Sequence, residues 1–142
     1  IFEVYDKTAK SYVTTLASGQ LMIVGNDAKE EYEISKNEDF TKIIKTIKTD
    51  ENKQIILDID DGIYYSRKVG DDKVSKHVIK DGKAVLADAI YGHEYEFKEI
   101  KAPTSYQLAD KSKAYKVEAD KDTDTIIYYF ENARIVVPNT GV

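Results

Sequence analysis

Two polar residues, Glu99 and Asn132, occupy positions that the strand pattern assigns to a buried face. Glu99 shares one face of its segment with Tyr95 and Phe97, because alternate residues of a strand point the same way. Asn132 shares a face with Phe130 in the same manner. A carboxyl or an amide in an apolar core costs free energy unless it is paired. The two side chains are therefore expected to need each other or a third polar partner.

The segment Val137-Pro138-Asn139-Thr140-Gly141 has a different character. Pro138 has no N–H group, which discourages pairing in a sheet ladder and favours an extended, accessible backbone. We therefore expect the peptide bonds of this segment to lie where another protein can reach them.

The composition describes one globular domain. A length of 142 residues is enough for a single hydrophobic core, and the absence of cysteine excludes disulfides. The net charge of -5 argues against nucleic-acid and anionic-membrane partners, and no apolar run is long enough to predict a membrane span. Because His77 and His93 are isolated, we predict neither a metal or cofactor site nor a Ser-His-acid triad. Ile1 opens directly into an apolar alternation, as expected for a fragment of a longer chain.

Alternating apolar residues predict a mostly-β domain without internal repeats. Strands are expected over residues 1–5, 11–16, 21–24, 54–59, 63–69, 74–79, 83–90, 93–100, 114–119 and 125–135. Asp61-Gly62 and Asp81-Gly82 each separate two such runs, which predicts two β-hairpins.

One segment, residues 38–48, has the period of a helix instead. Its apolar residues recur at i, i+3, i+4 and i+7, and Asn37 is the predicted N-cap. The stripe of this predicted amphipathic helix consists of Phe40, Ile43, Ile44 and Ile47.

Two stretches resemble the Cna protein B-type domain, an Ig-like β-sandwich of Gram-positive pilins and adhesins. Segment 126–135 resembles the last strand of that family, with Asn132 at its characteristic Asn, and segment 1–6 resembles the second strand. Segment 83–108 resembles the strand that carries the family's Glu, although Ser105 replaces a usual Gly. Its matching residues are, in order, Tyr95, Phe97, Glu99, Ala102, Pro103 and Tyr106. The resemblance implies a sandwich over residues 1–136, with an insertion at about 7–82 that contains the helix.

In that family a Lys of the first strand attacks the side-chain amide of the last-strand Asn and releases ammonia, which leaves an intramolecular isopeptide bond. The resemblance therefore implies that Asn132 is the acceptor and that Glu99 is the acid that promotes the reaction. Lys7 and Lys10 come too late along the chain to match the family's Lys, so we expect the donor outside this chain.

Residues 137–142 resemble the Leu-Pro-X-Thr-Gly sorting signal, with Val137 in the place of Leu. The resemblance implies that a sortase cysteine cleaves between Thr140 and Gly141, forms a thioester, and passes it to an amine. The amine would belong to peptidoglycan or to a neighbouring pilin subunit.

Together these features predict an extracellular structural domain of a Gram-positive pilin or wall-anchored protein, not an enzyme that acts on an external substrate. The alternative is an adhesive module that binds a host matrix ligand through the 7–82 insertion. Exposed tyrosines in that insertion, such as Tyr32, Tyr64 and Tyr65, would favour the alternative.

Overall fold

The computed structural model describes residues 1–102, 107 and 113–116, and this part consists of strands and connecting turns. The strands are β1 Phe2–Asp6, β2 Ser11–Leu16, β3 Gln20–Val24, β4 Glu31–Ser35, β5 Ile43–Lys48, β6 Gln54–Asp58, β7 Gly62–Lys68, β8 Ser75–Ile79, β9 Glu94–Glu99 and β10 Lys113–Lys116. Within these residues no helix is long and apolar enough to cross a membrane. The ten strands of the described residues confirm the expectation of a mostly-β domain.

The first sheet has the order β10-β9-β1-β2, and every neighbouring pair is antiparallel. Strand β1 alternates as its sequence predicts, since Val4 and Asp6 are buried whereas Glu3 and Tyr5 face outwards. A register shift between Val4 and Tyr5 interrupts the pairing of β1 with β2. The central position of β1 explains why its short apolar alternation forms a strand, because both of its edges are paired.

The remaining six strands form two sheets that share one core. The order of the larger sheet is β5-β4-β7-β8, and the smaller consists of β3 and β6. Full burial of a large apolar side chain contributes about 1.5–3 kcal/mol to the stability of the folded state. The buried core residues are Leu21 and Ile23 of β3, Ile34 of β4, Ile55 of β6, Tyr64 of β7 and Ile79 of β8.

The predicted helix over residues 38–48 is wrong. Residues 43–48 instead form β5, which pairs antiparallel with β4 and places Ile47 opposite Tyr32. Ile47 packs against the core, but Ile43 and Ile44 are each 44% exposed. The stripe at i, i+3, i+4 and i+7 matches a helix, but the β-branched isoleucines of this segment favour the pleated conformation, and pairing with β4 makes it a strand.

Asn37 organises a tight turn before β5 and does not cap a helix. Its side-chain oxygen accepts hydrogen bonds from the Lys42 N–H at 3.0 Å and from the Ser35 hydroxyl at 2.8 Å. Phe40 lies in this turn with a φ of 57°, outside the right-handed helical region. Its ring is buried, and the centre of the ring lies 4.1 Å from the Arg67 guanidinium carbon. The segment before β5 is therefore a turn, because a right-handed helix does not accommodate the left-handed backbone of Phe40.

The hairpin predicted at Asp61-Gly62 is also wrong. Strand β6 pairs with β3, whereas β7 pairs with β4 and β8, so the chain passes from one sheet to the other at this point. Asp61 instead accepts a hydrogen bond from the Asp81 N–H at 2.9 Å.

Asp81-Gly82 does form a tight turn. The Lys83 N–H donates to the Lys80 carbonyl at 3.1 Å, and Gly82 has a φ of 68°. The strand expected over residues 83–90 is absent, since pairing stops after the single bridge between Lys80 and Lys83. Lys83 instead uses its carbonyl to accept the Gly19 N–H.

Candidate functional site

Glu99 lies at the end of β9, which is paired on both sides by β1 and β10. The pattern of alternate residues places Glu99 on the same face as Tyr95 and Phe97, as the sequence predicts. Tyr95 and Glu99 are 3% and 6% exposed, so this face is the buried one. On β1 the residues opposite this face are Phe2, Val4 and Asp6.

A buried carboxyl on an otherwise apolar strand face is a group that can exchange a proton with a neighbouring amide or amine. Lys98 points to the other face of β9 and is exposed. Lys7 forms an ion pair with Glu94 at 3.2 Å, at the opposite end of β9. Five residue steps along a strand separate that pair from Glu99 by about 17 Å. Lys7 is therefore too far from Glu99 to react beside it, in agreement with its exclusion on sequence grounds.

Asn132 and the segment Val137, Pro138, Asn139, Thr140 and Gly141 lie outside the described residues. Glu99 is thus the one residue of the predicted reactive set that the structure positions.

The structure adds a polar cluster around Asp6 that the sequence did not reveal. One carboxylate oxygen of Asp6 accepts the N–H groups of Thr8 and Ala9, each at 2.9 Å. The other oxygen lies 2.7 Å from Nδ1 of His93. Burial opposes ionisation of Asp6, but the hydrogen bonds from Ala9, His93 and Thr8 outweigh it and hold its pKa below the ordinary value.

This cluster joins the β1–β2 turn to the start of β9. The Lys7 N–H donates to the Glu94 carbonyl at 2.8 Å, and the Glu94 N–H donates to the Thr8 hydroxyl at 2.9 Å. His93 and Asp6 are 87 positions apart, so no local motif could have connected them. The arrangement is a structural clamp, because its hydrogen bonds tie Asp6 to His93 and Thr8 to Glu94 across the two segments.

His77 also has a partner that the sequence did not indicate. Its Nε2 lies 2.7 Å from the hydroxyl of Ser66, a buried residue of the adjacent strand β7. Burial lowers the pKa of His77 to about 4, so the ring is neutral at physiological pH. A neutral imidazole beside a buried hydroxyl satisfies both polar groups within the sheet.

The tyrosines that would have favoured an adhesive surface are not exposed. Tyr64 is 3% exposed and donates its hydroxyl hydrogen bond to the Asp60 carbonyl at 2.8 Å. Tyr32 packs against the core, and Tyr65 is half-buried. In the 7–82 segment the exposed tyrosine is Tyr12, whose hydroxyl lies 2.6 Å from that of Thr15.

Comparison with known families gives one match, which covers nearly the whole chain. Residues 1–134 match the family described as SpaA, prealbumin-like fold domain. No curated protein and no solved structure matches the chain significantly. Domains of this family occur in Gram-positive cell-surface pilins and are typical of pilin or surface-protein structural modules, in general agreement with the Cna B-type resemblance. The chain therefore belongs to the SpaA prealbumin-like fold domain family.

Proposed function

We propose that the domain is a structural module of a Gram-positive pilin or wall-anchored surface protein and that sortase attaches it through Val137–Gly141. The observation that carries the proposal is the order Pro138-Asn139-Thr140-Gly141 directly after a region that matches a pilin-type family. The domain would stand on the outer surface of the cell, in the wall or the pilus, and would need no cofactor.

The proposed attachment has two chemical steps, acylation of the sortase and transfer of the acyl group to an amine. A sortase thiolate attacks the carbonyl carbon of Thr140, and the Thr140–Gly141 bond breaks as the Gly141 nitrogen takes a proton and leaves. An amine of peptidoglycan or of a neighbouring pilin then attacks the thioester, forms a new amide and releases the thiolate. The domain itself supplies the accessible acyl group and performs no catalysis on another molecule.

The test is transpeptidation of the purified chain by purified sortases of the wall-anchoring and pilin-polymerising classes, with a triglycine acceptor. We expect a product in which the acceptor replaces Gly141-Val142, detected by intact mass. The variant Thr140→Ala should give no product, whereas Asn139→Ala, at the variable position, should react like the unmodified chain. If only Val137→Leu reacts, the native segment is not a sorting signal for these enzymes.

We further propose that Glu99 promotes an isopeptide bond between Asn132 and a Lys from a strand outside this chain. The neutral Lys amine would attack the side-chain carbonyl carbon of Asn132, a C–N bond would form, and ammonia would leave with the proton relayed by Glu99. The burial of Glu99 on the inner face of β9 supports this role. Such a cross-link would stabilise the domain much as a disulfide does, by restricting the unfolded chain.

A further inference from the structure

The outer edge of β8 borders a groove. In the described part of the chain β8 is the last strand of its sheet and pairs with β7 alone. The groove has a volume of about 660 Å³ and is bounded by β2, β3, β8, the segment 85–88 and the β7 residues Ser66, Arg67 and Lys68. Five residues of a strand extend about 17 Å, so β8 offers one side of a channel suited to a short extended peptide.

The walls of this groove are apolar at several points. Val13 of β2, Met22 of β3, Val78 of β8 and Val85 all line it. Val13 is 41% exposed, which leaves apolar surface that an added strand could cover. Burial of such surface, together with main-chain hydrogen bonds, is how strand addition gains affinity.

Strand β8 carries one charged residue, Lys76, and the groove lining contains five basic residues, Arg67, Lys68, Lys73, Lys76 and Lys83. Residues 73–80 contain Lys73, Lys76 and Lys80, and Asp71, Asp72 and Asp81 flank this stretch, in a chain whose net charge is -5. Among the ion pairs of residues 1–102 none involves these three lysines. Lys76 lies on β8 and Lys73 lies in the segment before it, and both line the groove, whereas Lys80 does not. Two carboxylates, Asp71 and Asp88, lie elsewhere on the groove lining.

The other outer strand of this sheet, β5, differs from β8 in its exposure and in its distance from the groove. Both of its faces are largely exposed, and it lines no part of the groove. A strand added to β5 would bury little apolar surface, whereas one added to β8 would also contact β2 and β3.

We propose that β8 accepts an extended acidic segment of a partner protein by strand addition, with partner carboxylates beside Lys76 and Lys73. Among the described strands of a second folded copy, the acidic strands β4 and β9 are not available as occupants, because each is already paired on both sides. The proposal goes beyond the anchoring role and does not depend on sortase or on Glu99.

The test uses fluorescein-labelled peptides and the full chain. The probe is TEVEVET, and the two controls are TQVQVQT, which removes the charge, and TEVEVET with alternate backbone nitrogens methylated, which blocks main-chain pairing. We expect saturable binding of the probe, weakened about tenfold or more in each control and weakened by added salt. Amide NMR shifts should concentrate in residues 74–79.

Charge reversal locates the site. Lys76→Glu and, at a more exposed position, Lys73→Glu should each weaken probe binding about fivefold or more, whereas Lys45→Glu on β5 should leave it unchanged. The proposal is overturned if TEVEVET fails to bind at millimolar concentration, if TQVQVQT binds equally well, or if Lys45→Glu has the same effect as Lys76→Glu. Shifts confined to β5 would also overturn it.

Discussion

Phe2 and Glu99 lie directly opposite each other on the paired strands β1 and β9. Because residues in register share a face of the sheet, this pairing fixes Glu99 on the buried side, next to the inner residues of the central strand. The carboxyl is thus positioned by the hydrogen-bonded ladder and not by a mobile loop, as a group that promotes a reaction needs to be.

The first prediction concerns the mass of the purified chain. Since Lys98 is exposed, Lys7 pairs with Glu94 at the far end of β9, and the family resemblance places the donor Lys outside this chain, we expect the full calculated mass, with no loss of ammonia. High-resolution mass spectrometry of the intact chain provides the measurement. A deficit of one ammonia that disappears in Glu99→Ala would show instead that a Lys of this chain closes the bond.

The second prediction concerns His77 and acid stability. The folded state lowers the pKa of His77 to about 4 from the ordinary 6.5, so the unfolded chain binds more protons between these values. Stability contributed by the neutral ring is complete above pH 6.5 and is lost as the pH falls towards 4, by up to about 3 kcal/mol. Urea unfolding at a series of pH values measures this loss.

Two variants separate His77 from other groups. His77→Gln should flatten the stability curve between pH 6.5 and 4, whereas His93→Gln should leave the slope from His77 in place. An unchanged slope in His77→Gln would refute the assignment.

The third prediction concerns the carboxylate of Asp6. Its pKa is held below the ordinary 3.8 in the folded state, so its stabilising effect is present above pH 3.8 and is lost as the pH falls through the folded value. The stability difference between the unmodified chain and Asp6→Asn should therefore be constant above about pH 4 and shrink below it. A difference that shrinks already near pH 6 would contradict the predicted window.

The fourth prediction tests β5 against a helix. Leu21 is fully buried in the shared core, and Leu21→Ala should cost about 2–5 kcal/mol of unfolding free energy. Ile44→Ala should cost no more than about 0.5 kcal/mol, because this side chain is 44% exposed. In the helical arrangement Ile44 would belong to the buried stripe, so a cost for Ile44→Ala similar to that of Leu21→Ala would favour the helix.

The fifth prediction concerns the close approach of Gly25 and Glu30. A Cβ at position 25 would lie 2.8 Å from Oε1 of Glu30, which accepts hydrogen bonds from the N–H groups of Asn26 and Asp27 and cannot easily move. Gly25→Ala should therefore destabilise the domain by about 1–3 kcal/mol in thermal or urea unfolding. Removal of the Glu30 side chain should cost less in the Gly25→Ala background than alone, and strict additivity would rule out the clash.

The sequence alone determined which residues of β1 and β9 face the core. Side chains of a strand alternate between its two faces. The placement of Phe2 and Val4 on one face of β1, and of Tyr95, Phe97 and Glu99 on one face of β9, is therefore a local property that needs no knowledge of the neighbouring strands. The family resemblance was likewise visible in these short segments.

The tertiary structure decided what depends on distant partners. Ile43, Ile44 and Ile47 match a helical stripe, and pairing with β4 makes their segment a strand. Local residue order could not show that Asp6 meets His93, since that contact depends on the register between β1 and the start of β9. The free energy of strand pairing comes from residues far apart in sequence, so the local pattern identifies the faces of a strand but not its neighbours.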